Sequence, residues 1–446
     1  MFGIYGHSRA AAICYYGLHC LQHRGQEGAG IVTVQDGEMM VHKGEGLINE
    51  VFNEQILNSL KGNRAISHVR YSTGGDGGAE NVEPLVFRAK QGSMAITHDG
   101  SLENADELRD RMEEMGSIFQ TNSDSEVLAH LIRRSMHTQF VDKVKESLRS
   151  LVGGFAFMVL TESQLIAASD PWGLRPLSVG RLKDGYVVTS ETCAFDIVGA
   201  RWVRDVKPGE MIIIDGEGLH AEPFVMGGSK NMCAMEYIYF ARPDSDLNGI
   251  NVHTARKRLG KQLAKEAPVD ADIVVGVPDS SISAAIGYAE QSGIPYEMGL
   301  IKNKYVGRTF IQPSQELREQ GVKMKLSAVR GVVENKRVVI VDDSIVRGTT
   351  IKRIITLLRE AGALEVHVRI SSPPLQYTCP YGIDLKTSEE LLAANHDQEE
   401  IRKMLGMDSL AHISVEGLVK AVGTFNEDGS CGQCRACFNG SYPTHS

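Results

Sequence analysis

The sequence predicts two domains in one chain: an α+β layered domain over residues 1–228, and over 229–446 an α/β domain with a mainly parallel sheet. Three observations predict it. A chain of 446 residues exceeds one ordinary core and suits two units of roughly 200 residues each. Its first half strings together short apolar runs punctuated by glycines, while from about residue 250 strand-like and helix-like patterns alternate. Between them, GGSKNMCAMEYIYF (227–240) begins as a glycine-containing linker.

In the first half the strand candidates are GIVTVQ, AISHVRYST, SMAITHDG, FAFMVLTES, LIAASD, YVVTS and MIIID, interrupted by helical stretches around 102–115 and 124–150. In the second half, apolar Ile351, Ile354, Ile355 and Leu358 follow helical spacing, and Gly362 suits the helix end. Charged residues make up 23% and hydrophobic ones 42%, which excludes a disordered chain. A formal net charge of -9 argues against broad binding to nucleic acid or an acidic membrane. No apolar run nears the roughly 20 residues of a membrane span, and MFGIYGHSRA has no signal-peptide plan, so a cytoplasmic protein is expected. Eight cysteines spread over this length do not form a secreted scaffold; the tight run CGQCRAC, Cys431 to Cys437, reads as metal binding.

The sharpest motif is RVVIVDDSIVRGTT, residues 337–350. A buried parallel strand would deliver Asp342 and Asp343 to its carboxyl end, where ligands bind in open α/β sheets. Ser344, Arg347, Gly348, Thr349 and Thr350 then form a loop and helix start whose N–H groups can wrap a phosphate. The two acids suit a ribose diol and a magnesium ion. A second strand-to-helix turn, ADIVVGVPDSSISAAIGYA, sets Ser280 beside a helix start, where a plain N-cap is the simpler reading. A basic run over 301–330 includes Lys304, Arg308 and Lys325; such a run is usually a solvated face.

Residues 337–350 resemble the phosphoribosyl pyrophosphate (PRPP) signature of type I phosphoribosyltransferases. In the first half, LQHRGQEGAGI (21–31), HVRYSTGG (68–75), THDGSLENA (97–105) and QTNSDSEVLAHL (120–131) resemble, in order, the motifs of Ntn-hydrolase-type glutaminases. Together they make nearly the whole chain similar to the amidophosphoribosyltransferases, in their iron–sulfur-containing type. The resemblance implies synthesis of 5-phosphoribosylamine from PRPP, with nitrogen from glutamine or ammonia, at the start of purine synthesis. It implies that Ser280 joins Asp342 and Asp343 at Mg²⁺, that Lys304, Arg308 and Lys325 contact phosphate from a lid, and that Arg70 and Asp124 hold glutamine in a pocket shaped by Arg24 and Gly25. It also implies a homotetramer inhibited by purine nucleotides. A non-catalytic PRPP or nucleotide sensor is the rival class; the retained lid sequence speaks for catalysis.

Two positions depart from the family. Ntn glutaminases begin with a Cys whose thiolate attacks the amide while its own α-amine shuttles the proton, and here Met1 stands at the family's Val, so the nucleophilic Cys is absent. Cys14 and Cys20 carry no free α-amine and read as buried apolar residues. The other departure is Asp99 in the place of an oxyanion-hole Asn, where an ionised carboxylate would add repulsion; Gly100 still offers its N–H. A valine codon read as initiator and a decayed glutaminase both account for this, and the codons upstream distinguish them. As it stands, the chain is expected to use ammonia. Finally, the resemblance implies a [4Fe–4S] cluster on Cys233, Cys379, Cys434 and Cys437. Zn²⁺ is the alternative occupant and Cys431 the alternative ligand to Cys437. Cys193 reads as an ordinary core thiol.

Overall fold

A computed structural model describes residues 1–71, 78–90, 92–303 and 326–445. Its first half carries two antiparallel sheets. One has seven strands, in the order Arg201–Asp205, Ser178–Leu182, Gly185–Thr189, Phe2–Tyr5, Arg64–Arg70, Gly28–Gln35 and Glu38–Glu45. The other has six, in the order Gly218–Pro223, Glu210–Asp215, Leu165–Ser169, Gly153–Thr161, Met94–Leu102 and Leu85–Phe87.

Alternation along the strands explains how the layers stack, because successive side chains leave a strand on opposite faces. Val32 and Val34 join Ala156, Met158, Ile212 and Ile214 in a core between the sheets. Ala29 and Ile31 instead pack with Phe2, Ile4 and the helix Ala10–Cys20 on the outside of the larger sheet. Phe155, Phe157 and Ile213 meet Val127, Leu128 and Leu148 on the outside of the smaller one. Helix, sheet, sheet and helix therefore form four layers, and strands covered on both faces read as unbroken apolar runs. The helical stretch expected over 124–150 holds two helices, Ser125–Arg134 and Phe140–Arg149. Each has its own buried stripe, while SMHTQ between them has nothing to bury and Met136 is exposed.

The second half centres on four parallel strands in the order Ile273–Gly276, Arg337–Asp342, Glu365–Ile370 and Ser409–His412. Val274, Val339 and Val341 pack on one face with Leu259, Tyr288 and Leu418 from three helices. Val275, Val338 and Ile340 pack on the other with Ile351, Ile354, Ile355 and Leu358, the stripe expected of the helix Thr349–Glu360. The chain's last segment returns to the junction between the halves: Gln433–Cys434 pairs in parallel with Met232–Cys233. No described helix is long and apolar enough to cross a membrane.

Candidate active site

The strand Met94–Leu102 separates two neighbouring environments by its alternation. His98 and Gly100 line a polar cavity of about 250 Å³, together with His68, Arg70, Glu83 and Asp124. Asp124 accepts from the Leu102 N–H at 3.0 Å and pairs with His98 Nδ1 at 3.1 Å. Burial works against its charge, but His98 outweighs that and holds the carboxyl below its usual range. Asp124 begins the helix Ser125–Arg134 without a capping hydrogen bond from its side chain. Arg70 donates to the Asn81 carbonyl. Gly25 lies where a Cβ would stand 2.5 Å from the Arg70 carbonyl, so no larger residue lets these segments approach.

On the opposite side of the strand, Asp99 meets a buried charge cluster. Arg24, ending the turn Gln22–Arg24, donates from Nη2 to Asp99 at 2.9 Å and Glu236 at 3.0 Å, and from Nη1 to Glu191 at 2.8 Å and Glu236 at 3.0 Å. The Phe240 ring lies beneath the guanidinium, its centroid 4.5 Å from Cζ. Arg175 approaches Glu236 at 3.4 Å and donates to the Tyr381 carbonyl at 2.8 Å. Burial disfavours every charge here, but each is matched: Arg24 and then Arg175 hold the Asp99 carboxyl well below its ordinary range. The repulsion expected from Asp99 is thereby offset, since its carboxylate is occupied by Arg24 and accepts from Ser190 Oγ at 3.1 Å. Met1 is buried at the same end, its amine donating to Ser190 Oγ at 3.0 Å; burial lowers that amine to about 6. Sequence reading missed His98, Ser190, Glu191 and Glu236. The acid directly following the strand-like run YVVTS was the available signal for Glu191; Glu236 is recruited from the second half and carried none.

In the second half, the strand Arg337–Asp342 ends at the two acids, both buried. Ser280 Oγ donates to Asp343 at 2.5 Å, Ser281 Oγ to Asp342 at 3.0 Å, and Ser344 Oγ to Asp343 at 2.9 Å. Ser280 is thus a partner of the acid pair rather than a cap, and Ser281 is an addition. Burial, with repulsion from Asp343, pushes Asp342 up to about 8, and burial raises Asp343 as well. Hydroxyls face the two adjacent carboxyls, and Arg256 is the described cation that acts on Asp343. Beside them a cavity of about 190 Å³ is lined by Asp342 and residues 344–351. Gly348 opens the helix Thr349–Glu360 at φ 74°, leaving the first N–H groups of Thr349 and Thr350 at the cavity. Arg347 lines the cavity too, with its guanidinium 2.6 Å from Glu390. A third cavity, of about 540 Å³, joins the halves, with His23 and Gln26 on one side and Asp279, Ser280 and Lys302 on the other. Lys304, Arg308 and Lys325 lie outside the described residues.

Cys233, Cys379, Cys434 and Cys437 gather in one neighbourhood although they come from three distant segments. Burial raises Cys233 to about 12, and burial together with the other thiols raises Cys434 and Cys437. Cys431 stands apart, its thiol 3.9 Å from the Gln433 carbonyl. Among the described residues, no three His, Cys, Asp or Glu side chains make a group that could hold a metal ion. The expected ligands are neighbours without forming a closed single-ion site.

Residues 68–196 match the glutamine amidotransferase domain and residues 249–372 the phosphoribosyl transferase domain. Fold and sites thus define a class of enzyme in which these two domains share one chain. Over 445 residues, the chain is 63% identical to amidophosphoribosyltransferase of Bacillus subtilis, covering 100% of this chain and 94% of the relative. It is 51% identical to that of Staphylococcus aureus, covering 99% and 90%. A solved structure of the B. subtilis glutamine PRPP amidotransferase complexed with ADP and GMP superposes with TM-score 0.94 at 62% identity, covering 99% of this chain and 96% of the other. Another, described as the allosteric regulatory enzyme of purine biosynthesis, gives 0.95 at 63%, covering 99% and 95%. The chain belongs to the amidophosphoribosyltransferase family, enzymes of purine biosynthesis.

Proposed function

We propose that the chain makes 5-phosphoribosylamine and pyrophosphate from PRPP with nitrogen from ammonia; the family's full reaction, PRPP, glutamine and water to 5-phosphoribosylamine, glutamate and pyrophosphate, would need the nucleophilic Cys that Met1 does not supply. Residues 1–228 would be an Ntn-hydrolase-type glutaminase and residues 229–446 a type I phosphoribosyltransferase. The observation that carries this is the acid pair Asp342–Asp343, faced by Ser280 and Ser281 at the end of the central parallel strand. Beside the pair, the loop 344–350 and a helix start are shaped for a phosphate, and the nearby cavity at Ser280 reaches His23 and Gln26 of the other half.

Each step then falls to a local group. Thr349 and Thr350 bind phosphate through their N–H groups, and Asp342 and Asp343 orient the ribose diol. The acid pair, two adjacent carboxyls whose pKa values burial raises, suits Mg²⁺ held with Ser280, and that ion would neutralise the departing pyrophosphate. Ammonia attacks the anomeric carbon as the bond to pyrophosphate breaks. Arg70 and Asp124 hold the carboxylate and amino ends of glutamine in the 250 Å³ cavity. Four thiols that share a neighbourhood without closing round one ion suit a [4Fe–4S] cluster better than a single Zn²⁺. Held by Cys233, Cys379, Cys434 and Cys437, such a cluster would tie the returning tail to the junction. Feedback by purine nucleotides and assembly as a homotetramer complete the reading, the former supported by the ADP and GMP bound to the B. subtilis relative.

The test bypasses the glutamine half. Supplied with PRPP, Mg²⁺ and ammonium under reducing, anaerobic conditions, the chain should release pyrophosphate, and Asp342→Asn should lower that rate at least ~100-fold, roughly 2.7 kcal/mol of transition-state stabilisation. No release from the unaltered chain would count against the assignment.

A further inference from the structure

Cys20 and Cys193 are absent from both sites described above, yet they are placed together. Cys20 ends the helix Ala10–Cys20 and Cys193 begins the helix Cys193–Val198; both are buried, and their sulfurs lie 3.6 Å apart. A disulfide needs about 2.05 Å, so closure asks for roughly 1.6 Å of approach. Each cysteine adjoins a residue of the charge cluster. The segment after Cys20 runs directly into the turn that carries His23 and Arg24, while Glu191 precedes Cys193 and receives its thiol at 3.9 Å. Glu191 also pairs with His23 at 2.5 Å and accepts from Arg24 at 2.8 Å, from the Arg242 N–H at 2.8 Å and from Ser245 Oγ at 2.8 Å. The thiols therefore flank the carboxylate that joins the two halves.

We propose that Cys20 and Cys193 are a reversible oxidative modification site, closing to a disulfide when a peroxide reaches the seam between the halves. The two cysteines divide the work. Cys20 is the nucleophile: the Arg242 guanidinium donates to its carbonyl at 3.2 Å, and that positive charge favours the Cys20 thiolate. The Cys20 thiolate attacks one oxygen of hydrogen peroxide; an S–O bond forms, the O–O bond breaks, and the departing hydroxide takes a proton to become water. Cys193 then attacks the sulfenic sulfur of Cys20, the S–O bond breaks, and a second water leaves with the Cys193 proton. Two thiols lose two electrons in all and one peroxide gains them. Cys14 serves as an internal contrast, because burial pushes its thiol up to about 12 and it has no thiol partner.

The reaction is independent of the reading of either active site, and so is its test. Reduced full-length protein is treated anaerobically with equimolar hydrogen peroxide, quenched with N-ethylmaleimide, digested and mapped by mass spectrometry. The expected product is a peptide pair joined through Cys20 and Cys193, with both sulfurs lost from the alkylated pool and recovered after dithiothreitol. Oxidised protein should also melt several degrees higher than reduced protein, since the bond closes a long loop, and Cys20→Ser and Cys193→Ser should each abolish the shift. Full alkylation of Cys20 and Cys193 after peroxide would overturn the proposal. So would Cys20 stopping as a sulfenic or sulfinic acid beside a free Cys193, or cross-links that run only through other cysteines. The peptide map of the unaltered chain decides the matter even where a serine variant fails to fold.

Discussion

Arg24 shows what one side chain can organise when it is buried. Its guanidinium is planar and offers several donors in a fixed fork, so it can face Asp99, Glu191 and Glu236 together. Removing one partner from such a cluster leaves another charge uncompensated, which costs about 3–5 kcal/mol. Glu191 is fully buried, and although burial opposes its charge, His23 and Arg24 hold its carboxyl well below the usual range. Because its pKa is depressed in the folded state, its stabilisation is complete above the unfolded value of about 4.3 and is lost as pH falls through the folded one. Glu191→Gln should therefore be about 3–5 kcal/mol less stable at pH 7 in urea unfolding. The deficit should narrow by up to roughly 1.4 kcal/mol per unit as pH falls below about 4.3. A deficit independent of pH would mean that Glu191 is not ionised in the fold.

Between single residues and the whole chain, the loop joining the strand Arg337–Asp342 to the helix Thr349–Glu360 concentrates the function of one element. Gly348 holds φ 74°, and an added Cβ would stand 2.9 Å from Leu392 Cδ2. A side chain in that conformation costs about 1–2 kcal/mol, so Gly348→Ala should raise the KM for PRPP about 5- to 30-fold in the ammonium assay while changing kcat little. An unchanged KM would show that the loop does not hold phosphate through this turn. Much of this element was legible beforehand. The apolar spacing of Ile351, Ile354, Ile355 and Leu358 is a local property of helix geometry, and these residues are the buried ones. Where two stripes bury separately, as in Ser125–Arg134 and Phe140–Arg149, periodicity alone marked one helical stretch without its break, because the break is set by packing on the sheet rather than by a proline or glycine.

At the scale of the molecule, the halves are joined by polar contacts as well as by the chain itself. Arg24 and Arg175 reach Glu236, Arg175 reaches Tyr381, and Gln433–Cys434 pairs with Met232–Cys233. Glu236→Ala removes the carboxylate shared by both arginines and leaves them to Asp99 and Glu191, at an expected cost of up to about 3–5 kcal/mol. Calorimetry should then resolve two unfolding transitions where the unaltered chain shows closer coupling; unaltered coupling would relocate the connection to the tail. Sequence by itself determined the order of the two halves and the strand that carries Asp342 and Asp343, because residue types at fixed local spacing carry that information; Arg24, Arg70, Asp124 and Ser280 were singled out by the family resemblance, and their roles are proposals. The partners of Asp99, the recruitment of Glu191 and Glu236 to Arg24, the pairing of Cys20 with Cys193, and the gathering of Cys233, Cys379, Cys434 and Cys437 were decided only by tertiary structure. Those contacts join residues far apart along the chain, and a carboxylate or thiol acquires its charge state and its partner only when the surrounding layers close over it.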